Sequence, residues 1–492
     1  MKRLIKYLTI MFLPLPLTCG AAETLTLTLD EAIAMARVKS VDAAVALDEL
    51  KTAYWEWRTY RADQLPEISF ESTLPNYTDR YSAYMNEEGA YSFVKSNTLQ
   101  ATGQVSVTQN IRLTGGTLSL NSSLDFLRQF EGKTNNRFMS IPVALTLNQP
   151  IFGVNRMKWD SRIEPVRYSE AKAAFMSATE NVAQQTVGYY FTLIMSMENL
   201  KIARQNLSNS EKLYSVATEK RKMGQISEND LLQMEMNLLD AKSYLTDCES
   251  TLKSNMFQLR AFLDLDEDVE IVPVIPTEVP HAEISFGDAL ERALANNKFS
   301  KSMLRRQLEA DYEVAKAKGN MREINLFLQL GYTGTDTEAG DAYRHLRNNR
   351  IAEIGIKVPL LDWGKRRGKV KVAESNRRVT QSSLRREAMN FNQELFILVE
   401  RFSNQQSQLE LAVRTNEIAQ RRYNTNVETF MIGKISTLDL NDSQSKKDES
   451  MRDYVNELYK FWNYWYQIRS LTLYDYERRS DINADIERLV KM

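Results

Sequence analysis

Cysteine and histidine are almost absent from this chain, with two of each in 492 residues. Cys19 falls in the N-terminal leader described below, so Cys248 has no partner for an internal disulfide, and no cysteine set has zinc spacing. His281 and His345 lie far apart, without ligand-like neighbours, so no metal site is expected. Glycine and proline are also scarce, at 18 and 11, and with 26% charged residues this marks a helix-rich protein. Neither sign of charge is in excess. The 63 basic and 64 acidic residues leave a net charge of −1, which excludes a nucleic-acid binder driven by bulk charge. No nucleophile–base pair, glycine-rich phosphate loop or ligand cluster stands out, so nothing marks an enzyme or a cofactor.

Long apolar runs are missing too, apart from Leu4–Leu17 behind Lys2 and Arg3. That run is shorter than the ~20 residues of a spanning helix and reads, with Thr18-Cys19-Gly20-Ala21-Ala22, as a signal peptide over residues 1–22. Cleavage after Ala21 or Ala22 fits the small-residue rule. Lipidation on Cys19 is the alternative, although Pro16 and Thr18 make a poor lipobox. Either way the chain is exported.

The chain does contain a duplication. Gly224-Gln225-Ile226-Ser227-Glu228-Asn229-Asp230-Leu231 recurs as Gly433-Lys434-Ile435-Ser436-Thr437-Leu438-Asp439-Leu440, at an offset of 209 (433 − 224). Each copy predicts a tight turn between two helices. The glycine closes the incoming helix in the left-handed conformation, the serine caps the outgoing one, and the aspartate completes a capping box. Ile226/Leu231 and Ile435/Leu440 have staple spacing. A second match joins Leu27-Thr28-Leu29-Asp30-Glu31-Ala32-Ile33 to Ile284-Ser285-Phe286-Gly287-Asp288-Ala289-Leu290, at an offset of 257 (284 − 27). Thr28 is the expected N-cap of a helix pair running to about Asp63, and the second pair runs to about Lys318.

Each helix pair leads into segments of period two. Leu99, Ala101, Val105 and Val107 alternate with polar residues, as do Ile141, Val143, Leu145 and Leu147. In the second copy Ile324, Leu326, Leu328 and Leu330 alternate, as do Ile354, Ile356 and Val358. Apolar-out, polar-in strands of about ten residues suit a transmembrane β-barrel. A half-buried antiparallel sheet has the same alternation, and the export signal and the duplication favour the barrel. The first copy is longer by 48 residues (257 − 209). These include Thr117–Asn121 behind a Gly115-Gly116 turn, which predicts four strands in the first repeat and two in the second, with two plus two as the simpler alternative. Pro150 and Pro359 are expected to end the strands.

Long helices follow. The first, from about Asn155 to Met223, would span roughly 100 Å. Leu200, Ala203, Leu207, Ser210, Tyr214 and Ala217 step by three and four, and comparable seams run along all four long helices, as in a coiled coil. Cys248 falls on one seam as a core residue, and the Phe461-Trp462-Tyr464-Trp465-Tyr466 cluster reads as core. Lys365-Arg366-Arg367 reads as a solvated helix start. The expected boundaries are residues 23–271 for repeat one (strands about 65–150, helical hairpin 153–262) and 272–283 for a proline-rich linker. Repeat two then covers 284–476 (strands 322–359, hairpin 362–475), and 477–492 form a C-terminal tail. Four or six strands cannot close a barrel, so the chain must oligomerise. A polar lumen continued by a helical cylinder outlines an exit duct.

The duplicated layout, the opening Leu27–Ile33, the Leu65-Pro66-Glu67-Ile68 strand entry and both Gly-x-Ile-Ser-x-x-Asp-Leu tips together resemble the TolC family of outer-membrane efflux factors, over essentially the whole mature chain. The resemblance implies a mainly α fold with β. A transmembrane β-barrel is joined to a long periplasmic α-helical coiled-coil barrel, with two tandem structural repeats per chain. It implies a homotrimer in the outer membrane lipid of a Gram-negative bacterium, with a large periplasmic portion and no cofactor or enzymatic activity. The tips, here Gly224, Ile226, Ser227, Gly433, Ile435 and Ser436, would dock on a periplasmic adaptor (membrane fusion) protein and an inner-membrane pump. The function implied is passive efflux of small molecules. A type I protein-secretion duct shares the same outline, and a periplasmic coiled-coil scaffold without a pore is the alternative from another class. Asp439 and Asp442 match the family's paired entrance aspartates, and a spacing of three puts both on one helix face. The alternative is that Asp439 caps its own helix and Asp442 is solvated. Asp230 matches a residue of the family's polar entrance lock, but Phe430 and Ile435 stand at the partner positions and cannot form one. Packing of Phe430 and Ile435 is the expected substitute.

Overall fold

The computed structural model describes residues 24–85, 91–130, 135–321, 323–357, 361–431, 434–435, 437–484 and 486–491. The described part of repeat one opens with β1 (Thr24–Leu27), α1 (Leu29–Lys39) and α2 (Val41–Ala62). Four strands follow: β2 (Glu67–Met85), β3 (Tyr91–Ile111), β4 (Gly116–Gln129) and β5 (Asn135–Phe152). The first long hairpin is α3 (Arg156–Lys222) with α4 (Glu228–Phe262). After β6 (Glu270–Pro273) the pattern returns as α5 (Phe286–Asn296), α6 (Lys298–Gly319), β7 (Glu323–Asp336), β8 (Arg347–Lys357), α7 (Lys365–Met431) and α8 (Thr437–Thr472). A short hairpin of β9 (Tyr474–Asp475) and β10 (Ser480–Asp481) precedes α9 (Ile486–Lys491). The helices match in length across the duplication: α1 and α5 have 11 residues, α2 and α6 have 22, and α3 and α7 have 67.

Local chemistry fixes the boundaries. The Thr28 hydroxyl accepts from the Glu31 N–H at 3.3 Å, and the Glu31 carboxylate accepts from the Thr28 N–H at 2.9 Å, a reciprocal box that starts α1. Asn155 caps α3 by accepting from the Lys158 N–H at 3.0 Å. Its amide also donates to the Arg112 and Leu113 carbonyls at 2.9 and 3.2 Å. One side chain thus sets both the helix start and its seat against the β3–β4 turn.

The barrel sheet is antiparallel, in the order β2-β3-β4-β5-β7-β8. Directly opposed residues share a face. One cross-strand row reads Ile68, Val107, Leu120, Leu145 and Leu330. The adjacent row on the other face reads Ser69, Ser106, Asn121, Ala144 and Gly331. The polar face is tied together by side chains: the Ser69 and Ser106 hydroxyls lie 2.7 Å apart, those of Thr108 and Ser119 3.3 Å, and the Asn121 amide donates to Thr146 at 3.3 Å. Ile68, Leu120, Leu145 and Leu330 are exposed on the opposite face. Among the described residues no helix is long and apolar enough to cross a membrane.

Several expectations need correction. The strands run to between 11 and 21 residues rather than about ten, because β2 and β3 continue pairing as a free-standing ribbon up to Met85 opposite Tyr91. Pro150 does not end β5. The strand passes through it to Phe152, and the missing donor is absorbed by a register shift between Pro150 and Phe152. Pro359 and Val358 lie outside the described residues. Arg366 is not simply solvated: its guanidinium donates to the Asn320 and Met321 carbonyls at 2.8 and 2.9 Å, capping the chain end of α6. Val272 and Pro273 belong to β6, which pairs in parallel with β1.

The largest core lies at the middle of the molecule, where both repeats meet. Phe402 packs on Phe461 and Trp465, with centroids 5.3 and 5.9 Å apart, so the aromatic cluster of α8 is core. Cys248 is buried against Leu200 and Ala203. The Tyr190 hydroxyl sits 2.7 Å from the Leu27 carbonyl oxygen and accepts from the Val274 N–H at 2.9 Å, holding β1 and β6 against α3. Beside them Glu180 is buried between two cations. It accepts from Arg37 at 2.6 Å and from Arg469 at 2.9 Å, and Arg469 also meets Asp475 at 2.9 Å. Burial pushes the Asp475 carboxyl up, but the Arg478 amide and the Arg469 guanidinium outweigh it and hold it below the usual aspartate range.

Two outcomes follow from this cluster. Glu180→Gln leaves Arg469 buried without its main counter-charge, and the urea midpoint of the detergent-extracted protein should fall by an amount equivalent to about 3–5 kcal/mol. Because the folded Asp475 carboxyl is depressed, its contribution is full above the unfolded aspartate range and is lost as pH falls through the folded value. The stability gap between wild type and Asp475→Asn, read from thermal melts, should therefore be widest near neutral pH and close in strong acid.

Candidate functional site

The candidate site is the end of the two long hairpins. At the first tip Gly224 takes φ +69°, a conformation that costs a side-chain-bearing residue ~1–2 kcal/mol. The Gln225 N–H then reaches back to the Lys220 carbonyl and the Gly224 N–H to Arg221, each at 2.9 Å, which is a Schellman stop. Ser227 starts α4. Its hydroxyl accepts from the Asp230 N–H at 3.1 Å, and the Asp230 carboxylate accepts from the Ser227 N–H at 3.1 Å and its hydroxyl at 2.8 Å. Those bonds, the hydroxyl's first, hold the Asp230 carboxyl below its ordinary value. Asp230 is therefore committed to its own helix start within the chain. Ile226 is half-buried, and its carbonyl accepts from Arg221 at 3.3 Å.

At the second tip Gly433 and Ser436 lie outside the described residues, as does the side chain of Phe430. The Lys434 N–H bonds the Thr429 carbonyl at 3.1 Å, the counterpart of Gln225 to Lys220. Ile435 is half-buried and Asp439 is exposed. The backbone carbonyl of Asp439 accepts from Asn426 at 3.5 Å. Asp442, one turn further along α8, is not merely solvated: its carboxylate accepts from Arg422 on α7 at 2.7 Å. The structure thus brings Asp439 and Asp442 onto one stretch of α8, keeps Asp230 on the other hairpin, and adds an arginine not anticipated from sequence.

Arg422 could have been found from the hairpin's own geometry. Residues equidistant from a helical turn face each other, and Arg422 and Asp442 are each ten residues from position 432. Their counterparts in repeat one, Leu213 and Gln233, cannot pair by charge. Above the tips the two hairpins are joined by polar contacts: Asn209 on α3 donates to Gln444 on α8 at 2.9 Å, and Gln444 reaches Asn206 at 3.4 Å. Among the described residues no group of histidine, cysteine and carboxylates could hold a metal ion. Cys19 lies outside the described residues.

Comparison with known proteins places this geometry. A family model described as outer membrane efflux protein matches residues 32–264 and 290–472, one segment per repeat. No curated protein sequence matches the chain. Among solved structures, the Campylobacter jejuni CmeC outer membrane channel is similar at 15% identity and a TM-score of 0.65, covering 94% of this chain and 88% of that one. The Vibrio cholerae outer membrane protein VceC is similar at 12% identity and a TM-score of 0.62, covering 92% and 97%. The open state of the Neisseria gonorrhoeae MtrE outer membrane channel is similar at 12% identity and a TM-score of 0.57, covering 93% and 91%. With the duplicated sheet-and-hairpin layout matched along both repeats, the chain belongs to the outer membrane efflux protein family.

Proposed function

We propose that three copies of this chain form a passive exit duct in the outer membrane of a Gram-negative bacterium, conducting small molecules handed over by an inner-membrane pump through a periplasmic adaptor. The observation that carries this reading is the two-faced sheet. One face offers Ile68, Val107, Leu120, Leu145 and Leu330 to lipid, and the other offers hydroxyls and amides to a water-filled lumen. Helices of 67 residues continue that lumen for roughly 100 Å. The duct itself performs no chemistry, and transport is driven by the pump. The tips, with Gly224, Ile226 and Ser227 on one hairpin and Gly433, Ile435 and Ser436 on the other, are the docking points for the adaptor.

Asp439 and Asp442 form an acidic ring at the entrance in this reading, and Arg422 partly neutralises it. Single-channel conductance of the detergent-extracted oligomer in a planar bilayer tests both parts. The wild type should give a small, cation-selective conductance. In Asp439→Ala/Asp442→Ala the conductance should rise and the selectivity should fall, whereas Arg422→Ala should increase selectivity. Unchanged selectivity in the double variant removes the acidic entrance from the reading.

Closure is held by apolar packing at Phe430 and Ile435, since Asp230 is engaged with Ser227. Phe430→Ala should therefore leak more than Asp230→Ala in the same bilayers. The opposite order returns closure to Asp230.

A further inference from the structure

The duplication specifies a contact that a single chain cannot make. Within the chain, repeat one meets repeat two where α6 lies along α3. Arg305 pairs with Glu170 at 2.6 Å, Arg167 pairs with Glu309 at 3.0 Å, and Tyr312 packs on Trp159 with centroids 5.9 Å apart. Ile163, in the same stretch of α3, is 4% exposed. The two repeats superpose in sequence at offsets of 257 for α2 onto α6 and 209 for α3 onto α7, as their matching bounds require (298 − 41 and 365 − 156). The counterpart of the α3–α6 seam therefore joins α7 to an α2, and within the chain α2 packs against α3 with, among the described residues, no comparable contact to α7.

We infer that α2 of one protomer docks on α7 of the next, with Trp55 seated on Gly368 and Val372. Trp55 is the counterpart of Tyr312, Gly368 of Trp159, and Val372 of Ile163. The sizes are complementary: an indole replaces a phenol on one side, and a glycine with open space around it replaces an indole on the other. The exposures show the same seam left open. Trp55 is 56%, Val372 60% and Val379 67% exposed, whereas the in-chain counterpart of Val372 is buried. The two in-chain ion pairs are not repeated, because Asp48, Thr52, Asn376 and Val379 stand in their places. Longer-range charge takes over. The groove between α6 and α7, about 1040 Å³, is lined by five basic and two acidic side chains. The rim between α2 and α3 carries five acidic and three basic ones. The occupant of the α7 face is thus a second copy of this chain, a conclusion that rests on the trimeric reading above and adds its register.

Site-directed cross-linking tests it. In a Cys248→Ala background, Trp55→Cys/Val372→Cys is treated with a short bismaleimide suited to helices about 8–10 Å apart, and the assembled oligomer is sized by light scattering before denaturation. Cross-linked dimers and trimers are expected on a denaturing gel. Trp55→Cys/Arg386→Cys, displaced by about 21 Å along α7 from Val372, should remain monomeric there. The unaltered protein supplies a second arm, in which oxidative footprinting should find Trp55 protected in the oligomer. A native trimer whose Trp55→Cys/Val372→Cys chains do not cross-link, or whose Trp55 is oxidised like an exposed indole, overturns the register and leaves the trimer standing. A native particle that is not trimeric overturns both.

Discussion

Unpaired backbone at the two edges of one sheet governs the rest of this structure. The strands β2 and β8 each have a partner on one side only. In water a free edge is tolerable, but in hydrocarbon each unsatisfied amide or carbonyl costs several kcal/mol. Six strands are also fewer than the eight of the smallest common barrels. The same sheet carries an exposed apolar face, so it belongs in lipid and cannot be stable there alone. Assembly is therefore a condition of insertion, and the long helices, rooted at the ends of these strands, inherit whatever symmetry the closed barrel imposes.

The midsection translates that sheet into two hairpins. Asn155 binds the β3–β4 turn while starting α3, and Arg366 binds the end of α6 while starting α7. Both joints use side chains to satisfy carbonyls left open elsewhere, in a strand turn at Arg112 and Leu113 and at a helix end at Asn320 and Met321. Below them, the core around Tyr190, Phe402, Phe461 and Trp465 unites helices from both repeats with the β1–β6 pair. The buried Glu180 fixes how α1, α3 and α8 sit together, because its carboxylate must find both arginines at once.

Much of this was legible from residues whose role is local. Thr28, Gly224 and Ser227 act on neighbours within a few positions, so their pattern appears directly in the sequence. The strands were legible only where one face meets lipid. Beyond Leu74 in β2 the sequence turns polar and aromatic (Asn76, Tyr77, Thr78, Asp79, Arg80, Tyr81), with charges at both odd and even positions, so no clean alternation marks the strand and it outruns the expected ten residues. The β1–β6 pair was missed because four residues carry too little pattern and the partner lies 246 positions away (270 − 24). At the tips the sequence places Asp439 and Asp442 one turn apart on α8 but does not reveal the state of Asp442. Its partner Arg422 is local in space and distant in sequence, visible only after the hairpin's turn is used as a centre of reflection.

The Arg422–Asp442 pair has a consequence for the shape of any opening. It braces one hairpin of each chain close to its tip, and the other hairpin has leucine and glutamine at those positions. That hairpin carries its own cross-turn pair nearer the turn, Arg221 with Glu228 at 3.8 Å, so a ring of three chains would look nearly sixfold in outline, yet its clamps would alternate in height around it. Hairpins clamped at two distances from their tips bend at two heights, so such a ring would widen as a rounded triangle rather than a circle.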